Sequence, residues 1–288
     1  MPKQTFGIAL DLRYLCTMND FQFFLRALNM LVPVFTAFAC IVLTGFSRRD
    51  SLNPEEKRLK GIFMAYLFLI FTVWFATFCY YFAPELFVYL NTACLAGFVL
   101  VPVFLYRLIR FLIRMEQTEN FSFFHYIVPA ALILLMLVWS FFVPAGYQLA
   151  LVKSHKFALA GEYEAYSRFF TSKPFLRLIF VVVYYSFIGV ELMRYYRRAN
   201  RLNLPSRRPA RWMIFLIALT VMIGFNSLFA IMPKKVAFAN MWMASLTITG
   251  QFVLLTYHII RHKYRYYTAY PAAMSRQKDT GSPKRRTY

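Results

Sequence analysis

Polar side chains inside apolar segments are the residues of this sequence that could do chemistry. Ionisable groups are costly in a membrane interior, and amides are retained there for ligand binding or for interhelical hydrogen bonds. Glu191 and Arg194 lie three residues apart on one helix face, which suits either a switchable ion pair or a fixed pair at the membrane interface. The amides of Asn91, Asn226 and Gln251 suit either a ligand pocket or helix packing.

The histidines and cysteines form no catalytic or metal-binding pattern. His258 and His262 are four residues apart, a spacing that can hold a metal ion, but no glutamate completes an HExxH motif and their neighbours are cationic. The four cysteines contain no CxxC pair. The sequence also lacks phosphate-binding glycine loops and the GxSxG nucleophile motif. We therefore predict no enzyme activity, no cofactor and no metal site.

Seven apolar segments of about 20 residues must position these side chains, because that length of helix crosses a hydrocarbon core of about 30 Å. Of the 288 residues, 60% are hydrophobic, which exceeds the content of ordinary soluble domains. The segments are apolar on all sides, which favours helices over barrel strands. We predict an all-α, polytopic transmembrane helical bundle of about seven spans. The predicted spans are 28–46, 61–82, 86–106, 126–143, 175–195, 212–232 and 241–260.

The net charge of +21 is carried mainly by the connections between spans. Most of the 33 Lys and Arg residues follow spans 1, 3, 5 and 7, and cytoplasmic loops are enriched in these residues. This bias predicts an outside N-terminus and a cytoplasmic C-terminus. Lys234 and Lys235 are exceptions, since they fall outside in this arrangement. Basic loops beside a membrane predict contact with anionic lipid headgroups, and we expect no direct nucleic-acid binding.

The spans divide the chain into three parts. Residues 1–22 are predicted to be an extracytoplasmic segment without a signal peptide, and residues 23–265 the transmembrane domain. Residues 266–288 read as a basic, disordered cytoplasmic tail. The outer loop at 145–174 mixes apolar and charged residues, so it is expected to lie on the bilayer surface or to cover the bundle.

Three stretches of the sequence resemble a known family. They are FFTSKPFLRLIFVVVYYSF at span 5, the basic connection RYYRRANRLNLPSRRPARW, and YHIIRHKYRYYTAYP after span 7. Together, over residues 20–271, they resemble the membrane half of bacterial membrane-anchored helix-turn-helix regulators of the AraC type. The resemblance implies a six- or seven-span N-terminal domain that precedes a cytoplasmic DNA-binding domain. No helical pattern of that size follows span 7, so we expect the DNA-binding domain to be missing and transfer no DNA-contact residue.

The expected function is that of a sensor or signal-transduction membrane domain in the cell inner membrane. A small-solute transporter or channel is one alternative, and a structural membrane protein without a ligand is another. A sensor predicts a site open to the outside near residues 145–174, whereas a transporter predicts a cavity at the midplane around Asn226 and Gln251. The expected partners are membrane lipids and either a second copy of the chain or a cytoplasmic regulator.

Overall fold

The computed structural model describes residues 20–113, 121–154, 158–201, 215–216, 218–219, 221–222 and 234–261. Regular structure in these ranges is helical throughout, without a strand. The helices are α1 (Asp20–Arg49), α2 (Pro54–Phe82), α3 (Pro84–Ile113), α4 (Phe124–Phe142), α5 (Ala145–Lys153), α6 (Glu164–Thr171), α7 (Lys173–Arg201) and α8 (Lys234–Ile260).

Within the described residues, six helices are long and apolar enough to cross a membrane, which confirms the predicted all-α, multi-pass helical bundle. The candidate spans are Phe23–Arg49, Pro54–Phe82, Pro84–Ile113, Phe124–Phe142, Lys173–Arg197 and Met241–Ile260. They match six of the seven predicted segments. Several extend further, because a helix can continue beyond the apolar core into polar flanks. The remaining predicted segment, span 6 at 212–232, is described at six positions, all helical, and the rest of it lies outside the described residues.

Helix α3 is the centre of the bundle, since it packs against α2, α4, α5 and α7, while α1 packs against α2 and α8. The connections between α1 and α2 and between α2 and α3 are short, so these helices run antiparallel. We call one end of the bundle the basic end; it holds the C-terminal turns of α1, α3 and α7 and the start of α2. The opposite end, covered by α5 and α6, is the cap end.

The outer face of the bundle is apolar, as a lipid-facing surface must be. Helix α4 shows this most clearly, because few of its residues are covered by other helices. Its exposed side chains include Leu134, Val138, Phe141 and Phe142. In water such a surface would be an aggregation or interaction site, whereas in a bilayer it contacts the acyl chains.

The start of α2 at the basic end is fixed by a local cap. The Asn53 side chain accepts a hydrogen bond of 2.9 Å from the backbone N–H of Glu55, and Pro54 occupies the first helical position. Asn53 thus satisfies one of the unpaired N–H groups that every helix start presents, and Pro54 has no N–H that needs a partner. The turn from α1 into α2 is therefore determined by residues adjacent in sequence.

A buried ion pair lies behind this cap. Lys60 Nζ is 2.5 Å from Glu56 Oε1, and the Lys60 side chain is 1% exposed. The ammonium also donates to the Ser47 carbonyl at 2.8 Å and to the Ser51 hydroxyl at 2.7 Å. Ser51 Oγ in turn lies 2.6 Å from Glu56 Oε1. The pair thus joins the last turn of α1 to the first turns of α2.

Candidate functional site

A cluster of polar side chains, buried except for the half-buried Ser140, lies under the cap. We call it the cap cluster, and each of its members comes from a different helix. In order from α3 to α7, the five members are Asn91, Ser140, Gln148, Tyr166 and Lys173. The site therefore exists only when three spanning helices and both cap helices are packed together.

The Tyr166 hydroxyl is the hydrogen-bonding centre of the cap cluster. It accepts from Asn91 Nδ2 at 3.1 Å, donates to Gln148 Oε1 at 3.1 Å, and lies 3.2 Å from Ser140 Oγ. Burial raises the pKa of Tyr166, so its phenol stays protonated and can donate. Gln148 is held by its own bonds, because its Nε2 donates to the Ser140 and Val143 carbonyls, both at 2.9 Å.

Lys173 brings a positive charge into the cap cluster. The residue is buried, with 4% of its surface exposed, and its Nζ donates a hydrogen bond to Asn91 Oδ1. The ammonium also lies 3.7 Å from the centroid of the Phe170 ring and 5.5 Å from that of Phe87. Two aromatic faces and one amide oxygen offset part of the cost of burial, since ring faces attract cations.

Arg177 adds a second cation one helical turn along α7. Its guanidinium carbon lies 5.3 Å from the centroid of the Phe98 ring, so the side chain reaches toward α3. Cys94 lies on the same face of α3, between Asn91 and Phe98, and interacts electrostatically with both Lys173 and Arg177. The cationic face of α7 therefore opposes a face of α3 made of an amide, a thiol and a ring.

Neither cation has a carboxylate partner within the part of the chain that the structure describes. The nearby acids are engaged elsewhere: Glu85 Oε1 is 3.3 Å from Lys153 Nζ, and Glu164 Oε1 is 2.6 Å from Arg168 Nη2. A buried charge is normally paired, because its desolvation is otherwise uncompensated. The cap cluster is therefore a polar site with excess positive charge.

We expect Tyr166→Phe to lower the free energy of unfolding by about 1–3 kcal/mol, because it leaves buried groups of Asn91 and Gln148 without a partner. The measurement is an SDS titration of the purified protein, followed by thiol-reactive dye at the buried Cys40, Cys79 and Cys94.

Tyr163→Phe is the matched control for that substitution, because Tyr163 lies in the same cap and its hydroxyl makes no hydrogen bond to a described residue. Its unfolding should match that of the wild type. Equal stability of Tyr166→Phe and the wild type would contradict the network.

Of the polar residues singled out in the sequence, Asn91 lies in the cap cluster. Gln251, on α8, is fully buried elsewhere and accepts a hydrogen bond of 3.1 Å from the Tyr66 hydroxyl on α2. Asn226 lies outside the described residues. Glu191 Oε1 and Arg194 Nη1 are 3.5 Å apart, and the Arg194 side chain is 64% exposed. This geometry suits a pair at the membrane interface better than a buried switch.

The sequence analysis did not identify Lys173, Tyr166 or Gln148 as site residues. A spacing of four residues could have pointed to two of them: it places Tyr166 with Phe170 on one face of α6, and Lys173 with Arg177 on one face of α7. Gln148 carries no such signal, since it stands alone in a short apolar segment. Its role depends on α5 folding back over α3.

A second polar position lies between α1 and α8. Both polar atoms of the Asn29 carboxamide are buried and have no hydrogen-bond partner among the described residues. Its backbone carbonyl accepts from Ser245 Oγ at 2.9 Å, which ties the two helices together. An unsatisfied buried amide is unusual and requires an explanation in packing or in function.

The chain was compared with protein-family models, with curated proteins and with solved structures. None of the three comparisons finds a match.

Proposed function

We propose that this multi-pass membrane protein is a sensor, a signal-transduction membrane domain that recognises a small molecule at its cap cluster. The observation that carries the proposal is the buried Lys173 ammonium, which has an amide and two rings as partners but no carboxylate among the described residues. Such a group is costly to maintain in a bundle that only packs, and perturbed buried charges concentrate at functional sites.

The position of the cluster supports sensing. Its members come from five helices, so a molecule bound there contacts the cap and three spans at once. Helix α7 begins at the cluster with Lys173 and ends at Arg201 at the basic end. A rigid helix that joins a binding site to the opposite end is suited to carry a two-state change across a membrane.

The proposed orientation places the cap end outside and the basic end in the cytoplasm, in the inner membrane. Among the described residues, the cap end carries seven cations, namely Arg26, Lys153, Arg168, Lys173, Arg177, Lys234 and Lys235. The basic end carries twelve, namely Arg48, Arg49, Lys57, Arg58, Lys60, Arg107, Arg110, Arg194, Arg197, Arg198, Arg201 and Arg261. Cytoplasmic loops attract such residues, and anionic headgroups or a cytoplasmic regulator would meet them there. This arrangement agrees with the resemblance to the membrane half of AraC-type regulators.

Coupling between the two ends tests the proposal. We expect Lys173→Met to change the distance distribution between spin labels at Leu52→Cys and Arg197→Cys, both exposed at the basic end. The reason is that a sensor has two conformations whose balance depends on the state of its site. Lys153→Met, which removes an exposed cation at the cap end, should leave the distribution unchanged.

Sidedness is measured in the same background, with Cys16 replaced by serine. A membrane-impermeant maleimide should label Glu162→Cys in intact cells and Leu52→Cys only after lysis. Labelling in the reverse order, or a distance distribution that is the same with and without Lys173→Met, would overturn the proposal.

Transport of a small solute is the second candidate, and the unpartnered carboxamide of Asn29 is the observation that favours it. Alternating access would expose this buried residue to each side of the membrane in turn. Asn29→Cys would then react with impermeant reagents applied from either side. A sensor or a packed structural bundle predicts protection of Asn29→Cys from both sides.

A further inference from the structure

We propose that Lys173 and Arg177 together bind the carboxylate of a small organic anion at the cap cluster. The inference deepens the proposed function, on which it rests, by naming the chemical class of the ligand. It is carried by three features of the site: two cations on one helix face, the lack of a carboxylate partner for either in the described chain, and an aromatic lining.

The placement of the two cations comes first. Lys173 and Arg177 are four residues apart near the start of α7, so they point from the same face. The first turn of α7 contains no acidic residue, and a helix start carries a partial positive charge. Both side chains therefore add to one positive field, which a bound anion would neutralise, whereas the end of α6 at Thr171 offsets the charge of the helix start.

The hydrogen-bonding capacity of the cations is the second step. An ammonium has three donors, and among the described residues the one acceptor of Lys173 is the Asn91 carboxamide oxygen. The Arg177 guanidinium has five donors and makes no hydrogen bond to the described residues. A ligand carboxylate would take the place of Asn91 Oδ1 at Lys173 and accept the fork of Arg177.

The lining of the site selects among anions. Phe87 and Phe170 flank the ammonium and Phe98 flanks the guanidinium, so apolar rings line one side of the charges, beside the polar Asn91. Planar carboxylates match the guanidinium fork, and a single negative charge is less costly to desolvate than a phosphate dianion. The ligand is therefore a monocarboxylate with a compact apolar body.

The test uses the full chain in phosphatidylcholine nanodiscs, with benzoate as the probe and benzamide as its neutral counterpart. Benzoate should raise the melting temperature in a concentration-dependent way, because a ligand that binds the folded state stabilises it. Benzamide should not. Equal shifts from both compounds, or none from either, would overturn the inference.

Variants assign the effect to the two cations. Lys173→Met and Arg177→Gln should each weaken benzoate binding at least about tenfold, as expected when one partner of a buried charge pair is removed. Arg177→Lys keeps the positive charge but lacks the guanidinium fork, and it should also bind benzoate more weakly. Because it is the more conservative change, it tests the role of Arg177 if Arg177→Gln fails to fold. Lys153→Met should bind as the wild type does.

A lipid phosphate is the other source of an oxyanion, and nanodiscs with phosphatidylglycerol distinguish it. If that lipid stabilises the wild type but not Lys173→Met, and benzoate adds nothing, the site serves a lipid headgroup and the inference is wrong. Failure of the proposed function looks different: benzoate would bind at Lys173 while the spin-label distance at the basic end stays unchanged.

Discussion

Replacing Glu56 by alanine should lower the free energy of unfolding by about 3 kcal/mol or more. The substitution leaves the Lys60 ammonium, 1% exposed, without its carboxylate at 2.5 Å. Removing one partner of a buried pair strands the other charge, which typically costs about 3–5 kcal/mol. Ser47 and Ser51 remain as neutral acceptors, so the lower part of that range applies. The measurement is SDS-induced unfolding in the same detergent for all variants.

Two further variants determine whether burial is the cause. The double replacement Glu56→Ala with Lys60→Met removes both charges and should recover much of the lost stability. Glu164→Ala removes the acid of a second pair with the same spacing, at 2.6 Å from Arg168, but these side chains are 43% and 73% exposed. Exposed pairs contribute little, so unfolding should hardly change. Equal losses in Glu56→Ala and Glu164→Ala would refute the argument.

Replacing Gly97 by alanine should destabilise the bundle by about 1–3 kcal/mol, the usual cost of overpacking. A Cβ at this position would lie 2.1 Å from Val73 Cγ2 and 3.1 Å from the carbonyl oxygen of Leu69. Valine is held to one rotamer in a helix, so its methyl group cannot easily move aside. Helices α2 and α3 would have to separate at this contact. Unfolding in SDS measures this loss.

Gly189→Ala provides the matched comparison, since no described atom lies within 4 Å of a Cβ built at Gly189 on α7. There alanine should be neutral or stabilising by up to about 1 kcal/mol, because it favours the helix. The double variant Gly97→Ala with Val73→Ala should regain part of the loss, since the space of the valine methyl groups becomes free. If Gly97→Ala and Gly189→Ala shift stability equally, the close approach of α2 and α3 is not the cause.

The effect of Gly97→Ala bears on the proposed sensor, because α3 makes both the contact with Val73 at Gly97 and the contact with Lys173 at Asn91. Gly97 lies between Cys94 and Phe98, on the helix whose other face meets the cations of α7. A displaced α3 would also displace Asn91, the acceptor of Lys173. We therefore expect Gly97→Ala to weaken any ligand effect at the cap cluster, even though Gly97 does not belong to it.

The sequence by itself determined the fold class and the positions of the spans. A segment of about twenty apolar residues can pair its own backbone N–H and C=O groups in lipid only as a helix, so the assignment of the spans needs no tertiary information. The helix start at Asn53 and Pro54 was equally local, since a cap depends on neighbours within three residues. The enrichment of cations at one end followed from the alternation of the connections.

Only the tertiary structure decided which polar residues form a site. Asn91 and Gln251 looked alike in sequence, yet one contacts Lys173 and the other pairs with Tyr66 on a different helix. Within the predicted outer loop, Ala145–Lys153 and Glu164–Thr171 form two helices that place Gln148 and Tyr166 over α3; Tyr166 there contacts Asn91, 75 residues earlier in the chain. Hydropathy describes each segment separately, whereas a buried network depends on rotation and approach of whole helices, which only their packing fixes.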